Sequence, residues 1–242
     1  AIDNSLPLNL EKKDLLIDPY LLGVWLGDGH TKGNRITAEL KDAIELEEIF
    51  KSKNINCFFT PYKENKNIVS IHIRKPKDEC AYGHKYTMPK ISGANVCRVC
   101  SSNRYHKIEL PIKHQRIGEL FEKLNLYGNK HIPQEYLRAS FEQRLELLQG
   151  LMDTDGTIDI NGHCEFYQVD KNLSEQVFEL ICSLGLKPTI KLRKSKGTYS
   201  IINNKKHLVP DCFRISFSAY YEMPVFKLSR KKNRLKSINE LR

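Results

Sequence analysis

One nine-residue pattern occurs twice in this chain, and it constrains the fold more than any other feature of the sequence. Residues 21–29 read LLGVWLGDG, and residues 148–156 read LQGLMDTDG. Each copy has a glycine, apolar residues, a small residue and then Asp-Gly, at a constant offset of 127 residues. A repeated apolar helix that ends in a carboxylate predicts two similar halves that bring Asp28 and Asp155 to one place.

The first copy has the features of a buried helix with a close neighbour. Asp18 can cap its N-terminus and Pro19 suits its first turn, so we predict a helix from Tyr20 to about Gly27. Gly23 and Gly27 are four residues apart on one face, where small residues let another helix backbone approach closely. Alone, this copy would also fit a plain buried helix whose aspartate only forms hydrogen bonds at the helix end.

The second copy has its own start and stop signals. Ser140 with Gln143 three residues later predicts a capping box before an apolar helix. The helix should end at Asp155, and Gly156 suits a left-handed helix stop. Because the two aspartates occupy equivalent positions, a shared site explains them better than two separate helix caps.

The rest of the chain alternates between strand and helix periodicity. Strands are predicted at residues 35–40, 56–63, 67–74, 187–194 and 212–218, a hairpin around Asn161–Gly162, and helices at 41–53, 116–126 and 173–184. Residues 195–210 are predicted to be a polar loop, and residues 225–242 a basic helical tail. Each half then reads helix, hairpin, helix, hairpin, helix, an α+β fold with two antiparallel sheets that form a saddle.

Each predicted sheet has one apolar face and one polar, basic face. The apolar side is formed by Val69, Ile71, Ile73, Ile190, Leu192, Phe213, Ile215 and Phe217. The residues expected to contact DNA from the other side are Arg35, Ser70, His72, Arg74, Lys191, Arg193, Arg214 and Ser216. A sheet can read the major groove with alternate side chains, although a merely solvated face is also common.

The positive charge is concentrated in two regions. The chain of 242 residues has a formal net charge of +10; residues 74–116 contribute +7 and residues 187–236 contribute +12, so the remainder is acidic. Two basic regions on an otherwise acidic chain are typical of a protein that binds a polyanion. A lysine-rich solvated surface is the alternative. The sequence predicts no membrane partner and no secretion, so we expect an intracellular protein.

Three of the seven cysteines cluster in a stretch, residues 75–107, that breaks the periodic pattern and reads as an insertion. The insertion offers four zinc ligands in two close pairs, Cys80 with His84 and Cys97 with Cys100. This spacing predicts a structural, tetrahedral Cys₃His Zn²⁺ site that would supply the fold of the insertion. His106 is a competing ligand, and reduced cysteines with a chance histidine are the alternative. Three cations around it are expected to extend the DNA contact: Arg98, Arg104 and Lys107.

Two carboxylates at packed helix ends indicate a divalent metal site. Like charges are tolerated at short range when cations lie between them, and Mg²⁺ prefers hard oxygen ligands. Two metal ions can stabilise both the attacking and the leaving oxygen of a phosphodiester displacement. Neither motif supplies a His or Cys at a spacing that suits zinc.

The two motifs resemble those of double-motif LAGLIDADG homing endonucleases. The stretches IDPYLLGVWLGDG, YGNKHIP, EQRLELLQGLMDTDGTI and PVFKLSRKKNRL resemble the endonuclease domains of inteins. The pattern CAYGH with a later CRVC resembles small zinc fingers of other mobile-element nucleases. The resemblance covers most of the chain apart from the insertion.

The resemblance implies a monomer with two αββαββα halves related by a pseudo-twofold axis. It implies cleavage of both strands of a long, asymmetric double-stranded DNA site with Mg²⁺ or Mn²⁺, across the minor groove, leaving short 3′ extensions. Asp28 and Asp155 would be the catalytic, metal-binding carboxylates, with Gly27 and Thr154 beside them as further metal ligands. Asp153 has no shared role, because its counterpart in the first motif is Leu26.

The resemblance also implies a basic residue near the site in each half, which orders the attacking water or stabilises the transition state. The topology predicts that this residue follows the last strand of its half, which indicates Lys113 and Lys227. Several neighbouring lysines compete for the same role.

The predicted organisation has four parts. They are an N-terminal arm at residues 1–17, a first half at 18–128 that contains the insertion at 76–107, a linker at 129–139, and a second half at 140–242. No self-splicing is expected, because residue 1 is not Cys or Ser and no His-Asn pair ends the chain. The chain would be a free-standing enzyme or a domain excised from an intein.

Two other functions fit the same fold. One is a DNA-binding protein that has lost cleavage, and the other is an RNA-binding intron maturase. The presence of both Asp28 and Asp155 favours cleavage over the first. Basic sheet faces do not distinguish DNA from RNA.

Overall fold

A computed structural model describes residues 6–74, 117–202 and 205–239 of the chain. They form two compact units, which are treated separately below. The motif unit comprises the residues up to 29 and from 129 onward, and the second unit comprises residues 30–128. Helix 19–28, which begins the first predicted half, thus packs with the residues of the second half. None of the helices in the described residues is long and apolar enough to cross a membrane.

The second unit is an antiparallel sheet covered by a helix. The first helix of the chain, α1 (Pro19–Asp28), belongs to the motif unit. The elements of the second unit are β1 (Arg35–Glu39), α2 (Leu40–Ser52), β2 (Asn56–Pro61), β3 (Ile68–Arg74) and α3 (Ile117–Lys123). The strand order is β1-β3-β2. Leu46 and Phe50 of α2 are buried together with Val69, Ile71 and Ile73 of β3, as the alternation predicted.

The motif unit contains both motif helices and a larger sheet. Its elements are α1 (Pro19–Asp28), α4 (Gln134–Leu137), α5 (Phe141–Thr154), β4 (Gly156–Ile158), β5 (His163–Gln168), α6 (Lys171–Ser183), β6 (Thr189–Arg193), β7 (Tyr199–Ile202), β8 (Lys205–Leu208), β9 (Cys212–Ser218) and α7 (Ser229–Lys232). The antiparallel order is β4-β5-β9-β6, and β7 and β8 form a separate pair. Helix α6 packs on β5 and β9. The α+β class with antiparallel sheets is therefore confirmed.

The predicted helix starts are confirmed. The Asp18 carboxylate accepts a hydrogen bond from the backbone N–H of Leu21 at 3.1 Å, and Pro19 occupies the first turn of α1. At α5 the capping box is complete: Gln143 N–H donates to Ser140 Oγ at 3.4 Å, and Ser140 N–H donates to Gln143 Oε1 at 3.2 Å. Both motif helices therefore begin where local sequence chemistry places them.

The prediction for Gly156 was wrong. This glycine is the first residue of β4 and has no positive φ, unlike Gly162 in the following hairpin with φ of 84°. A Cβ at position 156 would lie 2.6 Å from the backbone oxygen of Met152. Glycine is needed here for close approach to the preceding helical turn, not for a left-handed conformation.

The described residues of the first half contain three strands, and residues 75–116 of that half lie outside the described part of the chain. The strand predictions need two corrections in the second half. The predicted loop at 195–210 contains the hairpin β7–β8. Leu192, predicted to point inward, is 47% exposed because β6 lies at the sheet edge while α6 packs on β5 and β9.

The predicted helical tail at 225–242 was wrong over most of its described length. Only Ser229–Lys232 is helical. The backbone N–H groups of Lys227 and Leu228 donate to the carboxylate of Asp153, at 3.0 and 3.1 Å, instead of entering a helix. Further on, Tyr221 N–H donates to Lys236 O at 2.9 Å, which folds the chain back on itself.

Candidate active site

The two motif helices touch along a line of glycines. A Cβ at Gly23 would lie 2.9 Å from the backbone nitrogen of Leu151, and a Cβ at Gly150 would lie 2.7 Å from that of Val24. A Cβ at Gly23 would also lie 3.0 Å from the Cα of Gly150, and a Cβ at Gly150 would lie 2.9 Å from the Cα of Gly23. Any side chain larger than hydrogen would separate the helices, so the predicted small-residue contact is confirmed for this pair.

The contact continues to the helix ends, where the predicted aspartates lie. A Cβ at Gly27 would overlap the hydroxyl of Thr154, and would lie 3.4 Å from Oδ2 of Asp155. The Thr154 hydroxyl points back along its own helix. It lies 3.1 Å from Gly150 O and 3.0 Å from Leu151 O, to which it can donate a hydrogen bond. Gly27 and Thr154 therefore bring the ends of α1 and α5 together.

The two carboxylates interact electrostatically. Asp28 is exposed at the end of α1, whereas Asp155 is partly buried just after α5. Burial and, to a smaller extent, repulsion by Asp28 raise the pKa of Asp155 to about 6. The charges of Lys130 and Lys231 lower this pKa in part. The structure thus brings Asp28 and Asp155 into one site, as the repeated motif predicted.

Lys130 is a site residue that the sequence analysis missed. Its Nζ donates to the carbonyl oxygen of Gly27 at 2.8 Å and lies 5.3 Å from the centre of the Trp25 ring. Burial lowers its pKa, while Asp155 and Asp28 counteract that shift. Lys130 belongs to the stretch YGNKHIP, so the resemblance could have indicated it, but one lysine in a turn-rich connector carries no periodic signal.

The Lys227 side chain pairs with a carboxylate other than Asp28 and Asp155. Its Nζ forms an ion pair with Glu146 Oε1 at 3.1 Å and lies 4.8 Å from the Tyr20 ring centre. Glu146 precedes Asp155 by nine residues, roughly 13 Å along a helix axis. Lys113, the other predicted lysine, lies outside the described residues.

The predicted DNA-contacting residues on the sheet of the motif unit lie on neighbouring strands. Lys191 is the cross-strand partner of Arg214, and Thr189 that of Ser216. Lys191 and Arg193 are exposed. Glu165 reduces the positive charge of this face, because it lies 3.4 Å from the Arg214 guanidinium and accepts from the Ser216 hydroxyl at 3.5 Å.

The predicted DNA-contacting residues of the second unit differ in how far their side chains are exposed to solvent. Arg35 is exposed and pairs across the strands with His72, whose ring stacks on Phe58 with centroids 4.6 Å apart. Ser70 is only 6% exposed, although it was predicted on the outward face. Arg74 ends β3, and its side chain lies outside the described positions.

The predicted zinc site lies outside the described residues. This applies to Cys80, His84, Cys97, Cys100 and His106, and to the nearby cations Arg98, Arg104 and Lys107. Within the described ranges no three His, Cys, Asp or Glu side chains are grouped as a metal site.

Comparison with known proteins finds a family model that is similar to part of the chain. Residues 142–210 match the family model of the LAGLIDADG-like domain. This match begins in α5 and includes Asp155, but it does not include α1 and Asp28. The place of Asp28 in the site therefore depends on the repeat and on the helix contact.

Two curated proteins are similar to nearly the whole chain. The replicative DNA helicase DnaB of Mycobacterium intracellulare is 28% identical over 231 residues, and the ATP-dependent DNA helicase Hel308 of Methanocaldococcus jannaschii is 23% identical over 243 aligned residues. Each match covers 96% of this chain, but only 28% of the first protein and 17% of the second. The chain thus spans less than a third of the length of these relatives.

Solved structures of the homing endonuclease I-DmoI are similar at a lower level. A complex with DNA and Ca has 14% sequence identity and a TM-score of 0.45, and covers 84% of this chain and 83% of that chain. Mesophilic variants of I-DmoI have the same identity and coverage, with a TM-score of 0.44.

Proposed function

We propose that this chain is a site-specific endonuclease of the LAGLIDADG homing type that cuts both strands of double-stranded DNA. One observation carries the proposal: Asp28 and Asp155 end two helices in direct contact, and the first raises the pKa of the second. Two carboxylates kept this close suit a divalent cation site better than a structural role. The LAGLIDADG-like match over residues 142–210 supports this assignment.

The donor set fits Mg²⁺ or Mn²⁺. Asp28 and Asp155 supply carboxylate oxygens, whereas the carbonyl oxygens of Gly27 and Thr154, predicted as further ligands, accept hydrogen bonds from Lys130 and Lys231. These are hard oxygen donors, with too few side chains for a closed protein cage, so water and phosphate oxygens would complete the coordination. When bound there, the cation would stabilise charge on the attacking and leaving oxygens of the phosphodiester.

Lys130 would place a positive charge beside the two carboxylates. Its ammonium is anchored on Gly27 O and lies near both aspartates, so it keeps a positive charge where the phosphate would gain negative charge. Its burial limits competition from water for that charge. We therefore assign to Lys130 the basic role that the resemblance implies, in place of Lys227.

The outward face of the β4-β5-β9-β6 sheet would bind one part of the duplex. Lys191, Arg193 and Arg214 would supply phosphate and base-edge contacts. The ion pair of Arg214 with Glu165 fixes the direction of its guanidinium, which favours a defined contact over a diffuse one. Binding should weaken steeply with salt, with a log–log slope of about −0.9 per phosphate neutralised.

We further propose that the chain is an intein-type endonuclease unit and acts as a monomer. Nearly all of this chain matches a small part of two differently named helicases, which is the pattern expected of a module inserted into different host proteins. A monomer suffices because both aspartates are supplied by one chain. The cleavage products should carry short 3′ extensions.

The inserted zinc finger is part of the same proposal. Cys80, His84, Cys97 and Cys100 would hold one structural Zn²⁺. Elemental analysis of the purified protein should find one zinc per chain, and Cys97→Ser should lower that ratio while His106→Ala leaves it unchanged. A chain that binds no zinc at all would contradict this part of the proposal.

The endonuclease is tested by selection from a plasmid library that contains a randomised region. Wild-type protein is incubated with the supercoiled library and Mg²⁺, and the linear products are sequenced at their ends. The expected result is one recurrent long, asymmetric site with 3′ extensions. Asp28→Asn and Asp155→Asn should each reduce double-strand cleavage of that site at least about a hundredfold and leave binding intact.

Two outcomes would favour the alternatives. Binding of a defined duplex without cleavage in Mg²⁺ or Mn²⁺ would indicate a DNA-binding protein without nuclease activity. Tighter binding to structured RNA than to any duplex selected from the library would indicate an RNA maturase. The basic sheet face alone would serve all three functions, so the assay must compare them directly.

A further inference from the structure

The C-terminal end of α5 is held by a buried ammonium group. Nζ of Lys231 lies 2.8 Å from Met152 O, 2.7 Å from Asp153 O, 3.1 Å from Thr154 O and 2.6 Å from Gly156 O. Lys231 is only 5% exposed. Since an ammonium has three N–H groups, the four carbonyls share them.

These contacts fix the backbone on both sides of Asp155. A helix leaves its last four carbonyl oxygens without intrahelical partners, and Lys231 satisfies three of them in α5. The fourth contact is to Gly156 O, beyond the aspartate. A cation at this end also interacts favourably with the helix dipole.

Lys231 is brought to this position by a second buried group of α5. Asp153 is 2% exposed and accepts the backbone N–H groups of Lys227 and Leu228, at the start of the short helix that carries Lys231. It also accepts the Tyr20 hydroxyl of α1 at 2.7 Å. The segment is therefore tied to both motif helices before it reaches the helix end.

The first motif is built differently. Leu26 stands where α5 has Asp153. The lysine that reaches the end of α1 is Lys130, which comes from the connector and donates to Gly27 O. The two aspartates are equivalent in sequence, but their supports are not.

We propose that Lys231 is a positioning residue for Asp155 alone, acting through the carbonyls around it. This inference rests on the proposed function, because it assigns a support to one half of the proposed metal site. If Lys231 has this role, loss of its ammonium group should loosen the backbone of residues 153–156 and weaken the contact between Asp155 and the bound cation. The contact between Asp28 and the cation should not change.

Amide hydrogen exchange tests the positioning without metal. Lys231→Met should speed exchange at the Asp155 and Gly156 amides at least about tenfold relative to wild type, and leave the Gly29 amide unchanged. Lys232→Met is the matched control, since Lys232 is the exposed neighbour in the same helix. Equal acceleration at all three amides, or none, would overturn the proposal.

Mn²⁺ binding, measured from the free-ion EPR signal, tests the functional half. In an Asp28→Asn background, adding Lys231→Met should weaken binding about tenfold, as for other groups that orient a metal ligand. In an Asp155→Asn background the same change should have less than a twofold effect. Equal losses in both backgrounds would show a general structural role and contradict a role specific to Asp155.

Two further comparisons keep the experiment decisive. If Lys231→Met does not fold, Lys231→Gln replaces it, because its amide can still donate to two carbonyls and should give smaller changes of the same kind. If Asp28→Asn with Asp155→Asn binds Mn²⁺ as well as wild type, the proposed metal site has failed. The exchange result then decides whether Lys231 positions Asp155.

Discussion

The ends of the two motif helices show how one sequence pattern can produce two unequal sites. At α1, Asp28 is exposed and follows a helix that is buried from Pro19 to Leu26. At α5, Asp155 is partly buried and has a pKa of about 6. Equivalent aspartates therefore differ in their exposure to water.

That difference suggests a division of roles at the helix contact. The glycines set the distance between α1 and α5, while lysines from elsewhere in the chain set the charge at each end. Changes at the glycines should act mainly on stability, and changes at Lys130 mainly on catalysis. The following predictions test this division.

The largest effect is expected for Lys130→Met. The variant removes a cation that interacts with both carboxylates but keeps a side chain of similar length, so the fold should persist. Double-strand cleavage of the selected site should fall about a hundredfold, as when one preorganised transition-state contact is lost. DNA affinity, measured by gel shift, should change less than threefold.

Lys171→Met provides the control for lost charge. Lys171 is exposed and forms a surface ion pair with Glu175 at 3.5 Å. Its loss should leave cleavage unchanged within error. If both lysine variants cut equally well, Lys130 has no catalytic role.

The next largest effect is the loss of stability when a methyl group is added at the contact between α1 and α5. Gly150→Ala places a Cβ against the α1 backbone, where no side chain can rotate away, so unfolding free energy should fall by about 2–3 kcal/mol. Thermal unfolding should show a Tm lower by roughly 4–12 °C. Gly33→Ala, whose Cβ would have its nearest neighbour at 3.6 Å, should leave Tm nearly unchanged.

Gly27→Ala sharpens this comparison along the same contact. Its Cβ would meet the side chain of Thr154 instead of backbone, so a change at Thr154 can relieve the overlap. Gly27→Ala should therefore cost less than Gly150→Ala, and Thr154→Ala should restore most of the loss. Equal Tm losses for the two glycine variants would contradict the contact described.

The sequence predicted the helix pair well because both ends of each helix are locally determined. Asp18 and Ser140 form caps with residues three positions away, and the glycines repeat at helical spacing. The alternation of Val69, Ile71 and Ile73 also predicted the buried face of β3. These signals are short in range and need no knowledge of the rest of the fold.

The sequence did not indicate the contacts near the site that are long in range. Lys130 reaches Gly27 across 103 residues, and Lys231 reaches the carbonyls of α5 across more than 70. Five basic residues lie between 227 and 236, besides Lys231 itself, so spacing alone could not select one. The buried Asp153 decides which of them enters the helix end, and its partner N–H groups have no signature in the sequence.

A smaller effect should appear in the pH dependence of metal binding. The pKa of Asp155 is raised, so this carboxyl is protonated below about pH 6 and ionised above it. Because the cation needs the carboxylate, apparent Mn²⁺ affinity should fall about tenfold between pH 7 and pH 5. Repulsion by Asp28 contributes to the shift, so Asp28→Asn should move the midpoint to lower pH.

The measurement is a Mn²⁺ titration by EPR at half-unit pH intervals. The Asp155→Asn variant serves as the control, since its remaining site should lose most of the dependence around pH 6. A profile for wild-type protein that is flat from pH 5 to pH 7 would contradict the raised pKa. A midpoint that Asp28→Asn leaves in place would show that the two carboxylates are not coupled.

The smallest effect concerns the link from α1 to the buried carboxyl of α5. Burial raises the pKa of Asp153 to about 6, and the Tyr20 hydroxyl partly opposes that shift. A carboxyl with a raised pKa in the folded state contributes stability at low pH, and this contribution is lost as pH rises through about 6. Tyr20→Phe raises the folded pKa further, so its cost should grow from pH 5 to pH 7 and reach about 1–2 kcal/mol.

Tyr136→Phe separates this titration from the loss of a buried hydroxyl. Tyr136 is as buried as Tyr20, but its hydroxyl donates to Ile17 O at 2.9 Å and accepts from Ile17 N–H at 2.8 Å. Because both partners are backbone groups that do not titrate, its cost in urea unfolding should be the same at pH 5 and pH 7. A Tyr20→Phe cost that is equally flat would mean that the hydroxyl stabilises Asp153 equally in both protonation states. The link between the two motif helices would then be a neutral hydrogen bond, and the unequal burial of their ends would have no electrostatic consequence at Asp153.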